Sequence, residues 1–395
     1  MFERTHCQLI KTRLREPRKF LQVVLGPRQV GKTTAVKQAL QTLGLPFLFF
    51  SADAVPAVRN SWLSECWESA RAQMRITGAA DFVLVIDEIQ KIRNWSEIAK
   101  REWDADSFND VGLKVLLLGS SRVLIEKGLS ESLAGRFEEI RMPHWSFPEM
   151  RDAFGFSAEQ FAYFGAYPGA AALVADEDRW RNYVSAAIID ASINKDILMD
   201  SPVSKPALLR QTFELASAYS GQILSLTKML GQLQDAGNTT TLSGYLNLLS
   251  AGGLLCGLRK FASDFARRRA AAPKFQVFNN ALKSAYLGSS FDAARANGSV
   301  WGRIFESAIG AHLVSRAFSE NFEVFFWRDR DAEVDFVLKK RERLVAIEVK
   351  SNAEAQNSGL AEFCRRFAPH RAFVVGAGGV PAEEFLSASP LALFD

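Results

Sequence analysis

A chain of 395 residues, 48% of them hydrophobic, is too long for one core and has the apolar content of an ordinary soluble protein, so two or three domains are expected. The formal net charge of +4 excludes a global attractive field for nucleic acid, so any such surface must be a local patch. Cys7, Cys66, Cys256 and Cys364 lie far apart without a CxxC or His spacing for zinc, which suits a reducing cytoplasm. The N-terminal stretch carries Glu3 and Glu16 among its basic residues and no apolar signal core. The longest apolar stretch, Leu246 to Leu258, is broken by glycines and too short to cross a bilayer, so a cytoplasmic protein without a membrane partner is expected.

The apolar run Leu21 to Leu25 predicts a strand. Gly26-Pro27-Arg28-Gln29-Val30-Gly31-Lys32-Thr33 follows, then a helix-forming stretch from Thr34 to Leu43. In this strand, G-x-x-x-x-G-K-[ST] loop and helix, Gly26 and Gly31 permit backbone angles that a Cβ forbids. Successive N–H groups then turn inward around phosphate oxygens at a helix N-terminus. Lys32 is placed for the β and γ phosphates and Thr33 for Mg²⁺, which makes Gly26 to Thr34 the expected ATP-binding segment.

Further strand-like runs occur at 46–50, 82–86 and 113–118, separated by helical segments, and this alternation predicts a parallel sheet covered on both faces. Phe82 to Ile86 is continuously apolar and ends in Asp87-Glu88. Asp87 is placed to hold hydrated Mg²⁺, and Glu88 to orient and polarise the water that attacks the γ-phosphate. Leu113 to Leu118 ends in Gly119-Ser120-Ser121. A polar residue there reaches the γ-phosphate only if this strand lies between the two that carry the nucleotide motifs; otherwise it is a simple turn.

After residue 150 the periodicity becomes helical, with segments at 179–200, 205–219, 226–236 and 239–250. Gly252-Gly253 and the apolar run Leu254 to Leu258 come next, a pattern that fits a winged helix or a plain helical bundle. Between Arg259 and Lys283 stand seven basic residues, Arg259, Lys260, Arg267, Arg268, Arg269, Lys274 and Lys283, against Asp264 alone, a local net of +6. Such a cluster either neutralises phosphates of a DNA partner or is a solvated loop.

Three strands are expected at 325–328, 332–338 and 344–350. Alternation puts Glu333 with Asp335 on one face and Val334 with Phe336 on the other, and likewise pairs Glu348 with Lys350. Any half-exposed antiparallel strand alternates this way. An Asp thirteen residues before Glu-x-Lys is more specific: Asp335 and Glu348 suit a metal, and Lys350 suits a water or a phosphoryl transition state. Glu306, in the helical stretch Trp301 to Phe318, offers a third carboxylate.

With these residues in view the chain resembles prokaryotic AAA+ ATPases that join an N-terminal AAA domain to a C-terminal DUF4143 region. The likeness rests on Gly26 to Thr34, Asp87 to Lys91, Leu118 to Ser121, Glu131 to Arg136, Ser146 to Glu149, Tyr167-Pro168, Pro273-Lys274, Gly302 to Glu306, Trp327-Arg328, Glu333 to Asp335 and Ile347 to Lys350. Ala166 and Asn279 depart from the family pattern in the middle region. The resemblance implies an α/β protein with an AAA+ P-loop parallel sheet over 1–155, a helical or winged-helix domain over 156–258 and an α/β restriction-endonuclease-like domain over 259–395. It implies that Ser120 or Ser121 senses the γ-phosphate and that Arg136 is an arginine finger. Arg136 also reads as a helix C-terminal cap. A finger requires a homo-oligomer, most simply a hexameric ring. The expected activity is ATP hydrolysis with Mg²⁺ that binds and remodels DNA, with branched structures such as Holliday junctions the expected substrate. The competing expectation is a signalling or defence switch with a non-catalytic nuclease-like module.

Overall fold

The computed structural model describes residues 2–120, 128–129, 132–198, 203–234, 237–262, 271–351 and 358–395. Two compact units divide the chain, Met1–Met142 and Pro143–Asp395.

In the first unit helices α1 (Thr5–Arg15), α2 (Lys32–Leu43), α3 (Ser61–Thr77) and α4 (Trp95–Phe108) alternate with strands β1 (Leu21–Leu25), β2 (Phe47–Ser51), β3 (Phe82–Asp87), β4 (Leu113–Gly119) and β5 (Phe137–Arg141). All strands run parallel in the order β2-β3-β4-β1-β5. β1, β3 and β4 are buried along their length, which is why they read as unbroken apolar runs. On one face Cys7, Ile10 and Leu14 of α1 and Val36 and Leu40 of α2 pack on Val24, Val83 and Leu116. Strand β5 is absent from the apolar pattern because it is a half-buried edge, where Glu138, Glu139 and Arg141 keep part of their surface in solvent.

In the second unit, reciprocal Ser146–Glu149 and Ser157–Gln160 capping boxes start the helices Phe147–Phe154 and Ala158–Phe164. The stretch expected as a helix at 179–200 is α-helical over Glu177–Tyr183 and π-helical over Val184–Asp190 and Ser192–Leu198. Then come α5 (Pro206–Ala218), α6 (Leu226–Leu230) and α7 (Thr239–Ala251). Helix α6 stops well short of residue 236, at Gly231, a poor helix former. Strands β6 (Leu255–Lys260) and β7 (Lys274–Val277) form an antiparallel wing, and Ile223 bridges to Lys274 beside it. Helices α5, α6 and α7 and then this antiparallel pair follow one another in that order.

The same wing enters a six-stranded sheet with β8 (Glu323–Asp329), β9 (Ala332–Lys340), β10 (Arg343–Lys350) and β11 (Arg371–Gly376), in the order β11-β10-β9-β8-β6-β7. Helix α8 (Gly298–Glu320) precedes β8, and α9 (Ser358–Phe367) crosses between β10 and β11, which are parallel. Because β6 pairs with β8, the unit is continuous through residue 258.

The expected alternation along β9 breaks at Asp335. Trp327 pairs with Val334 and Phe325 with Val337, so Asp335 and Phe336 together oppose Phe326 alone. This bulge returns Val337 to the face of Val334, where both pack with Phe363 of α9. Phe336 is thereby moved off the Val334 face, because period-two alternation holds only along an unbroken pleat.

Candidate functional site

The phosphate loop runs from β1 into α2. Gly31 caps α2 in the left-handed region at φ +83°, which a side chain would resist. Gly26 is required for a different reason than the loop angles suggest: a Cβ there would lie 2.2 Å from the Met142 carbonyl oxygen. Among the intervening residues, Val30 is buried and Pro27, Arg28 and Gln29 border solvent, as does Thr34 on α2. The Lys32 ammonium, 7% exposed, donates to the Gly26 and Pro27 carbonyls at 2.8 and 2.9 Å, in the mouth of the loop.

Strand β4 lies between β1 and β3, which is the condition under which Ser120 can address a γ-phosphate. The Thr33 hydroxyl donates to Asp87 Oδ2 at 2.8 Å, placing two hard oxygens side by side, as a Mg²⁺ site needs. Burial raises the Asp87 pKa; the Thr33 hydrogen bond opposes the shift and the Glu88 charge adds to it. Glu88 adopts φ +54°, so the chain turns sharply after β3. Its Oε2 accepts from Gln90 at 2.5 Å and from Ser120 at 3.1 Å. Gln90 sits inside the Asp87 to Lys91 string, but nothing in the sequence indicates that it holds Glu88. Helix N-terminus, lysine, hydroxyl and two carboxylates together fit a Mg²⁺–nucleoside triphosphate.

Arg136 lies elsewhere. Its carbonyl accepts the Leu21 N–H at 2.8 Å, at the end of β1 remote from the phosphate loop. One strand length, about 13 Å at roughly 3.3 Å per residue, separates it from its own loop. Its guanidinium makes a bidentate pair with Asp104 at 2.7 and 3.1 Å. Ser121 and Glu131 lie outside the described residues.

The basic segment is smaller than its count. Lys274 is wholly buried and Lys283 is 3% exposed, its ammonium on the Ser220 carbonyl at 2.7 Å. Both point inward and leave the patch proposed for DNA. Arg259 pairs with Glu323 at 3.0 Å, and Arg267, Arg268 and Arg269 lie outside the described residues.

The C-terminal constellation does assemble. Helix α8 brings Glu306, the β9 bulge brings Asp335, and β10 brings Glu348 and Lys350, which are 2.6 Å apart. At their centre stands Lys274 from β7. Its Nζ lies 2.6 Å from Glu306 Oε1, 3.2 Å from Asp335 Oδ1 and 3.7 Å from Glu333 Oε1. Burial opposes charge on Lys274, but Asp335, Glu306 and Glu333 outweigh it and raise its pKa. Burial and then the Asp335 charge push Glu306 and Glu348 up to about 7. Among the described residues no three His, Cys, Asp or Glu side chains are grouped to hold a metal ion. Lys274 thus holds Glu306 Oε1 and Asp335 Oδ1 while Lys350 holds Glu348 Oε1, so each of the three carboxylates meets a lysine. Sequence reasoning missed this role: Lys274 counts as one more basic residue, and no spacing ties it to carboxylates so far along the chain.

Residues 18–151 match the AAA domain family (AAA_14), 156–293 match the domain of unknown function DUF8612, and 301–393 match DUF4143. The chain thus carries an N-terminal AAA domain and a C-terminal DUF4143 domain. An uncharacterized protein of Haemophilus influenzae is 21% identical over 347 residues, covering 84% of this chain and 82% of its own length. Another from Methanocaldococcus jannaschii is 21% identical over 338 residues, covering 80% and 72%. Among solved structures, the Aeropyrum pernix ORC1 protein in complex with DNA is 15% identical and covers 78% of this chain and 92% of its own, with a TM-score of 0.31. The Thermotoga maritima RuvB Holliday junction branch migration motor is 17% identical and covers 64% and 85%, also at 0.31. The AAA assignment rests on the matched domain and the strand order, since both superpositions score low. Among the described residues no helix is long and apolar enough to cross a membrane.

Proposed function

We propose that this chain, built on an AAA domain and a DUF4143 domain, hydrolyses ATP as a homo-oligomeric, hexameric ring and uses the turnover to remodel DNA. Its working parts are a nucleotide domain, a winged-helix region and a nuclease-like platform, the last two joined through strand β6. The observation that carries the reading is the pairing of Thr33 with Asp87 and of Ser120 with Glu88 just beyond the C-terminal ends of three neighbouring strands.

In this reading the loop N–H groups and Lys32 bind the phosphates. Mg²⁺, when bound by Thr33 and Asp87, offsets charge on the phosphoryl oxygens. Glu88, held by Gln90 and Ser120, orients a water and accepts its proton. Swinging that water onto the γ-phosphorus requires Glu88 to leave Ser120, so the Ser120 hydroxyl becomes free for a phosphate oxygen at the same step. Arg136, remote from its own loop, serves a neighbour's site and thereby ties turnover to assembly.

DNA is the partner this architecture favours. The exposed positions of α7 include Thr239, Thr240, Ser243 and Asn247, hydrogen-bonding side chains without charge, as a helix reading base edges needs. The nuclease-like sheet makes branched DNA the first substrate to try. Sedimentation of Glu88→Gln with ATP and a labelled four-way junction tests the reading. A hexamer-sized complex on DNA is expected, and a monomer on DNA with ATP present contradicts it.

A further inference from the structure

The C-terminal pocket holds three carboxylates of the kind that bind divalent metal, yet a lysine occupies its centre. Lys274 comes from β7, at the end of the wing, and is 0% exposed. Its ammonium touches Glu306 Oε1 at 2.6 Å and both Asp335 Oδ1 and the Asp335 carbonyl at 3.2 Å, and it lies 4.9 Å from the centre of the Phe336 ring. The β9 bulge explains how one residue presents both its carbonyl and its carboxylate to the same cation. Asp335 Oδ2 accepts the Val349 N–H at 2.8 Å, and Glu348 Oε1 accepts from Lys350 at 2.6 Å. The donor oxygens are thus largely engaged, with Glu348 Oε2 buried and unpartnered.

We infer that the Lys274 ammonium replaces the divalent cation in this pocket, so that the wing is pinned to the nuclease-like sheet by an internal charge and the pocket takes no metal. A metal needs oxygens at about 2.0 to 2.6 Å, and an ion that close to both Glu306 Oε1 and Asp335 Oδ1 would overlap the Nζ that already lies within hydrogen-bond distance of each. Nor can the lysine step aside into water, since its whole side chain is enclosed and β7 is laddered to β6. With the ammonium removed, Glu306 and Asp335 would lose their shared counter-charge beside Glu348, whose Oε1 is held by Lys350, and their unsatisfied oxygens would then draw in a divalent ion. The inference stands independently of what the AAA domain drives.

Mn²⁺ binding to the nucleotide-free full chain, counted by electron paramagnetic resonance of the free ion, tests it. In the wild type, Asp335→Asn is expected to leave the number of bound Mn²⁺ unchanged. Lys274→Met is expected to gain one Mn²⁺ per chain, lost again when Asp335→Asn is added. Wild-type binding that Asp335→Asn abolishes overturns the inference, and so does a folded Lys274→Met that gains no ion. Metal-dependent cutting of a labelled four-way junction by wild type, absent in Asp335→Asn, overturns it as well. The two wild-type arms decide the matter even if Lys274→Met does not fold.

Discussion

The Ser120 hydroxyl, at the end of β4, donates to Glu88 Oε2 at 3.1 Å, linking the end of one central strand to the turn that leaves its neighbour. The link gives Glu88 a defined position before any water arrives, and it makes the serine and the glutamate separable by kinetics. Glu88→Gln should bind ATP and turn over at least about 10²-fold more slowly, because it removes the base but keeps the shape. Ser120→Ala should lower kcat by roughly tenfold, equivalent to about 1.4 kcal/mol, with KM little changed. Lys32→Ala should lose affinity for ATP. Filter binding beside steady-state rates distinguishes the three, and normal turnover by Glu88→Gln contradicts the assignment.

Arg136 and Asp104 form a bidentate pair about a strand length away from the loop of the same chain. A group placed there acts on a nucleotide only across a subunit boundary. Inactive Arg136→Ala mixed with inactive Lys32→Ala should therefore recover activity, since some interfaces join an intact pocket to an intact finger. Verified mixed assemblies with no activity at any ratio would leave Arg136 as a surface ion pair, which contributes little to stability.

Much of this was legible in the sequence, for identifiable reasons. Strands β1, β3 and β4 are covered on both faces, so their apolar runs are unbroken, and the nucleotide residues follow them within one turn. Edge strand β5 was not legible, because half-exposed positions accept charge and blur the pattern. The Asp335, Glu348 and Lys350 set could be read from spacing because it sits on a hairpin. Lys274 could not, since its meeting with Glu306 and Asp335 depends on the long-range pairing of β6 with β8 and on a bulge that no residue pattern marks. Ala166 and Asn279, the two departures from the family pattern, meet in the fold: the Ala166 N–H donates to Asn279 Oδ1 at 3.0 Å.

His312 on α8 gives the second unit an acid sensitivity. It is 6% exposed, its Nε2 has no protein partner, and its ring packs edge-on against Phe385. Burial, then the Arg316 charge, pushes its pKa from 6.5 down to about 3. The unfolded chain therefore binds the extra proton between those values, and stability falls as pH drops below 6.5. The loss at pH 5 is about 2 kcal/mol. Glu306 and Glu348, raised to about 7, act with the opposite sign and are common to wild type and variant. Thermal melts of wild type and His312→Leu at pH 7.5 and 5 should differ in slope, with the variant less sensitive. Equal slopes would remove the histidine from the acid response.

The central claim is that ATP hydrolysis at the Lys32, Asp87 and Glu88 site is coupled to DNA. Steady-state ATP turnover of the full chain, measured without DNA and with single-stranded, duplex and four-way-junction DNA, tests it directly. Turnover should rise with DNA, most with the junction, and Glu88→Gln should stay near zero on every substrate. A wild-type rate identical with and without each DNA would contradict the motor and leave a nucleotide switch in its place.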